Sequence, residues 1–99
     1  MERGEAPPRL MTTRYTVVFS KIAKEKFDAF IQADRKLGAQ IAKAIDRLTA
    51  NPDLGEFLKG EWKGYRKYRT GRYRIIYRIE HAKLVIYILT IDDRKDVYR

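Results

Sequence analysis

The stretch YRKYRTGRYRIIYRIEHAKLVIYILTI, residues 65–91, decides the fold, because it alternates with the period of a strand and pauses twice for turns. GYRKYR (64–69), RYRIIYRI (72–79) and LVIYILTI (84–91) read as three strands. Thr70-Gly71 and Glu80-His81-Ala82-Lys83 supply the turns, giving an antiparallel meander. On the middle strand Tyr73, Ile75, Tyr77 and Ile79 fall on one face, and Arg72, Arg74, Ile76 and Arg78 on the other. The last strand is apolar on both faces, as a central strand is.

Upstream, RYTVVF (14–19) is β-branched and aromatic, which predicts a further strand. Ser20 is placed to cap a helix over KIAKEKFDAFIQADRKL, with Ile22, Phe27, Phe30, Ile31 and Leu37 as its apolar stripe. Gly38 reads as the stop of that helix. AQIAKAIDRLTA follows with Ile41, Ala44, Ile45 and Leu48 at helical spacing, and Asn51-Pro52 ends it. The order β-α-α-β-β-β predicts an α+β fold: a meander sheet with a helical hairpin packed on one face. Residues 1–12 carry Pro7-Pro8 and no apolar period, so they read as a disordered leader with Met11 as a candidate start; residues 13–99 form one domain.

Composition narrows the function. Cysteine is absent, which excludes a disulfide framework, a zinc-thiolate site and a thiol nucleophile. No apolar run approaches the length of a membrane span and no secretory signal is visible, so the expectation is a cytoplasmic protein without a membrane partner. Twenty-two Lys and Arg against 13 Asp and Glu give a formal charge of +9. A domain so basic attracts polyanions, of which nucleic acid is the commonest.

The charge concentrates in YRKYRTGRYR, residues 65–74, which contains no acid. Tyr65, Lys67 and Arg69 share one strand face, and Arg66 and Tyr68 the other. The arginine face of the next strand continues the charge, and only Glu61 before the segment and Glu80 after it are near in sequence to neutralise it. Like charges held so close cost stability unless a polyanion binds them. Tyrosines among the cations suit RNA, whose phosphates meet Arg and Lys while exposed bases stack on rings or guanidinium planes. The plainer alternative makes Tyr73 and Tyr77 core aromatics and the arginines a solvated outer face.

YTVVFSKIAKEKF, YRKYRTGRYRIIYRI and the terminal LTIDDRKDVYR, in this element order, resemble the RelE/ParE superfamily of toxin–antitoxin toxins, in its RelE branch, over residues 13–99. The resemblance implies a RelE-like fold and a toxin that enters the ribosomal decoding site and cuts messenger RNA there, held inactive by a cognate antitoxin. Carried over residue by residue, it implies Arg74, Arg94 and Tyr98 as catalytic residues. The family's basic pair falls on Tyr65 and Lys67, with Arg69 at the next position of that face. Because one of the two expected lysines is Tyr65, Arg66 is the candidate to replace its charge, and Arg72 joins the RNA-binding set.

Metal-free RNA cleavage requires the 2′-OH to be aligned, the charge on phosphorus stabilised, and two protons moved. Arg74 and Arg94 suit the second task, since a guanidinium grips two phosphate oxygens at once. Lys67 is the candidate base, because clustered cations disfavour its charged form. His81, the sole histidine, sits at a hairpin tip and reads as an exposed turn residue. Asp92-Asp93 is too weak a motif for a metal site, so no cofactor is expected. Two other classes compete: a ParE-like inhibitor of DNA gyrase, and a basic RNA-binding protein without catalysis.

Overall fold

The computed structural model describes residues 14–93. In chain order these form β1 (Thr16–Phe19), α1 (Lys21–Ala33), α2 (Arg35–Ala50), β2 (Glu56–Phe57), β3 (Arg66–Thr70), β4 (Tyr73–Glu80) and β5 (Val85–Asp93). Short 3-10 turns lie at Pro52–Leu54, Gly60–Trp62 and His81–Lys83. The strands make one sheet in the order β1-β5-β4-β3-β2. The predicted meander is antiparallel throughout, and the helical hairpin covers one face of it. Two additions were not read from the sequence: β1 joins β5 in parallel, and the two-residue β2 pairs with β3.

Gly38 does not stop a helix. The break falls four residues earlier, at Asp34, whose extended backbone ends α1 and begins α2. Its N–H donates to Phe30 O at 2.9 Å, and its Oδ1 accepts from Lys36 N at 3.0 Å and Leu37 N at 3.3 Å. One aspartate thus closes one helix and caps the next, a dual use that the glycine signal obscured. Gly38 is buried inside α2 because Ile31 of α1 presses on it: a Cβ there would lie 2.6 Å from Ile31 Cγ1 and 3.0 Å from its Cα. Gly38→Ala should therefore destabilise by about 1 kcal/mol, the strain of a crowded interface minus the better helix propensity of alanine. Urea unfolding checks the sign; a stabilised variant would show that the hairpin opens freely here.

The α2 stripe is buried as read, with Ile41, Ala44 and Leu48 fully enclosed and Ile45 nearly so. The α1 stripe is shifted. Ala23, Phe27 and Phe30 face the sheet at i, i+4 and i+7, whereas Ile22 is 57% exposed. Phe27 stacks on Phe19 of β1, and Phe30 meets Tyr73 of β4 at 5.1 Å. From the sheet, Ile75, Tyr77, Ile86, Ile88 and Ile91 complete the core. Ser20 caps α1 as predicted and also donates to Leu89 O at 2.6 Å, which ties the helix start to β5. The β3–β4 turn is Gly71-Arg72 instead of Thr70-Gly71, because Thr70 pairs with Tyr73; Gly71 supplies the positive φ of +62° that a two-residue hairpin needs.

Candidate functional site

The site lies on the sheet face that the helices leave open. Strand register lays its side chains out in rows. Arg69 of β3 stands opposite Arg74 of β4, which stands opposite Asp92 of β5. One row along, Glu56, Lys67, Ile76 and Thr90 face one another across four strands. A further row brings Tyr65, Arg78 and Tyr87 around one pocket.

A β-bulge shapes the middle of this face. Ile76 pairs with Thr90 and Tyr77 with Ile88, so Leu89 is an extra residue. Both Leu89 and Thr90 therefore turn toward the same cavity of about 200 Å³, joined by Arg74, Ile76 and Asp92. Leu58 and Trp62, from the connection between β2 and β3, wall its other side. Arg74 is only 7% exposed there. A cation withdrawn from water this far must be compensated, and Asp92 is the acid in register with it. Asp92 also receives Lys26 Nζ from α1 and the Thr90 hydroxyl at 3.1 Å, while Lys26 reaches Thr90 Oγ1 at 3.2 Å.

The acid-free run is not left without acids. Asp53 pairs with Arg66 at 3.1 Å, Asp93 with Arg72, and Glu80 with Arg78 at 3.1 Å. Two cations of the run, Arg66 and Arg72, thus meet carboxylates that lie outside it and its flanks, while Arg78 just beyond it is met by the flanking Glu80. Lys67 and Arg69 enter no ion pair among the described residues, and they line an adjoining pocket with Glu56.

Tyr65, Lys67, Arg69 and Arg74 are accordingly brought to one face. Arg66 is not. Its guanidinium turns to the opposite side, donating to Gly55 O at 2.8 Å and lying 3.8 Å over the Phe57 ring. Arg72 sits in the hairpin tip with its Nε 3.0 Å from Asp93 Oδ2, away from the Arg74 row. Arg94 and Tyr98 lie outside the described residues. His81 is an exposed turn residue as expected, with Nδ1 3.0 Å from the Tyr15 hydroxyl.

Sequence reasoning missed Glu56, Trp62 and Tyr87. Glu56 lies on a strand too short to show periodicity. Trp62, the only tryptophan, was a usable clue: it is 50% exposed and meets Tyr65 edge to face at 5.9 Å. The position of Glu56 depends on a buried clamp. The Tyr77 hydroxyl donates to Pro52 O at 2.6 Å and accepts from Gly55 N at 2.9 Å, and burial pushes its pKa above the ordinary value of 10.0.

Comparison with known proteins places the chain. The family described as ParE toxin of type II toxin-antitoxin system, parDE, matches residues 17–98. Toxin RelG of Mycobacterium tuberculosis is 35% identical over 86 residues, covering 86% of this chain and 97% of that protein. A chain of the toxin–antitoxin complex RelBE2 from the same organism superposes with a TM-score of 0.71 at 31% identity, over 83% of this chain and 93% of its own. The YoeB dimer of Staphylococcus aureus is similar with a TM-score of 0.66 at 28% identity, over 78% and 93% of the two chains.

Proposed function

We propose, for a chain that belongs to the ParE toxin family of type II toxin–antitoxin systems and thus to the RelE/ParE superfamily, that it is a RelE-type, ribosome-dependent endoribonuclease cutting messenger RNA in the decoding site. One observation carries this reading: a nearly buried Arg74 walls a cavity on the open face, with Lys67 and Arg69 beside it. A guanidinium shielded from water is preorganised for charge that grows during a reaction, and charge–charge attraction is stronger there than in solvent.

The reaction that fits is attack of the ribose 2′-oxygen on the adjacent phosphorus. The new O2′–P bond forms as the P–O5′ bond breaks, leaving a 2′,3′-cyclic phosphate and a 5′-hydroxyl. Arg74, with Arg94 as its proposed companion, stabilises the charge on the phosphoryl oxygens. The proton leaving the 2′-OH goes to the Lys67 amine or to the carboxylate of Glu56, which stand in register across β2 and β3. Tyr98 remains the proposed proton donor to the leaving 5′-oxygen or a stacking partner for a base. Single-turnover cleavage on programmed ribosomes separates the two bases: the variant lacking the base, Lys67→Ala or Glu56→Gln, should lose far more rate than the other.

Toeprinting on programmed ribosomes tests the function itself. Cuts within the codon in the decoding site are the expected result. A second reading draws support from the family description, because ParE-like action on DNA gyrase would need no cleavage. Accumulation of relaxed plasmid in a gyrase assay, with intact messenger RNA, would favour it. RNA binding with neither effect would leave a non-catalytic binding protein.

Binding should follow salt steeply. Each phosphate neutralised on a single strand contributes a slope of about −0.7 in log K against log salt. A flat dependence would remove RNA from the list of ligands. A cognate antitoxin is the proposed protein partner, as the RelBE2 complex shows for a relative. Ile22 and Ile31 leave apolar surface on α1 for an amphipathic segment to cover. No helix among the described residues is long and apolar enough to cross a membrane.

A further inference from the structure

Four residues along β4 from Arg74, about 13 Å at the rise of a strand, a second pocket opens on the same face. Its volume is about 280 Å³, and Tyr65, Arg78, Tyr87 and Leu89 are among its lining residues. Leu89 also lines the Arg74 cavity, so the two hollows adjoin across a single side chain. The proton transfers and phosphate contacts of strand cleavage make no use of this second hollow.

Its chemistry differs from that of the first. The Arg78 guanidinium lies 4.4 Å from the centroid of the Tyr87 ring, and the same guanidinium is 3.1 Å from Glu80. Tyr65 enters from the residue just before β3, with its ring held edge-on by Trp62. A carboxylate beside the arginine disfavours a phosphate at this point. Two tyrosine rings and a guanidinium plane instead offer flat surfaces, which a base of any identity can cover.

We infer that this pocket is a nucleobase subsite, which takes the unstacked base of a nucleotide flanking the cleaved phosphate and stacks it on the Tyr87–Arg78 pair, with Tyr65 at its edge. The inference rests on the RNA-cleavage reading for its substrate class. It adds two residues, Arg78 and Tyr87, that hold RNA without touching the reacting atoms. It also predicts that the protein reads a position beside the cut through stacking, with tolerance for base identity.

The test uses the full chain and a short single-stranded RNA whose 2′-O-methyl groups block cleavage. One set of oligonucleotides carries 2-aminopurine at successive positions, and a matched set carries an abasic residue. On binding, fluorescence should be quenched at one flanking position, and removing that base should weaken binding about tenfold. Tyr87→Ala should weaken the intact oligonucleotide by a similar factor and the abasic one hardly at all, because both changes delete the same contact. Tyr87→Phe, which keeps the ring, should restore binding. Absence of quenching at every position, or equal loss with and without the base, would overturn the subsite. The abasic series on the unaltered protein decides the matter even should Tyr87→Ala unfold. Cleavage on programmed ribosomes is followed in parallel: cleavage without base dependence removes the subsite and leaves the nuclease, whereas base-dependent binding without cleavage does the reverse.

Discussion

Arg74→Ala is expected to lower the single-turnover rate of messenger RNA cleavage on programmed ribosomes by about a hundredfold or more, with a much smaller change in ribosome binding. The asymmetry follows from placement. Arg74 is enclosed by Leu58, Trp62 and the bulged strand β5, so its charge acts through protein rather than water. Overall attraction to the ribosome is spread over many of the 22 basic residues and survives the loss of one. Arg72→Ala is the comparison. Its side chain is engaged with Asp93 at the hairpin tip, and its removal should alter the rate only a few-fold. Equal losses from the two substitutions would make the face a binding surface and end the catalytic assignment. Arg74→Lys gives a further check: it keeps the charge but not the planar fork, so the rate should stay well below that of the unaltered protein. Thermal unfolding of each variant separates lost chemistry from a lost fold. Arg94→Ala is expected to match Arg74→Ala by the same assay.

The second large effect concerns stability. Tyr77→Phe should destabilise the fold by about 1–3 kcal/mol, since it deletes the hydroxyl between Pro52 O and Gly55 N and leaves two buried backbone groups unsatisfied. Gly55→Ala should act on the same contact from the other side. A Cβ there would lie 2.5 Å from the Tyr77 oxygen and 2.8 Å from Lys67 O, so backbone must move to admit it. Both changes loosen the segment that sets Glu56 opposite Lys67, and cleavage should fall alongside stability. The pH dependence has a definite sign. Burial raises the Tyr77 pKa above 10.0, so the unfolded chain loses that proton first as alkali is added. The contribution is fully present below pH 10.0 and is lost as the pH climbs through the raised folded value. Denaturant unfolding of the unaltered protein and of Tyr77→Phe should therefore converge in strong alkali. Parallel curves would show that the hydroxyl is not held as described.

The sequence by itself determined the elements whose periodicity is long enough to be counted. The three meander strands, the α2 stripe of Ile41, Ala44, Ile45 and Leu48, and the Ser20 cap were all legible, because each depends on neighbours within a few residues. So was the cationic face as a list of candidates, since alternation alone separates Lys67, Arg69 and Arg74 from Tyr68 and Ile75. The break at Asp34 was not, because a glycine at a helix crossing looks like a glycine at a helix end until Ile31 is seen against it. Nor was the state of the charges. An acid-free run of ten residues reads as unneutralised, yet Asp53 and Asp93 come from distant positions to pair with Arg66 and Arg72. Tertiary structure alone decided which cations stay available, because pairing across strands depends on register, and register includes a bulge at Leu89 that no local pattern announces. That bulge and the Leu58–Trp62 wall turn a row of strand arginines into a cavity with Arg74 shut away from water.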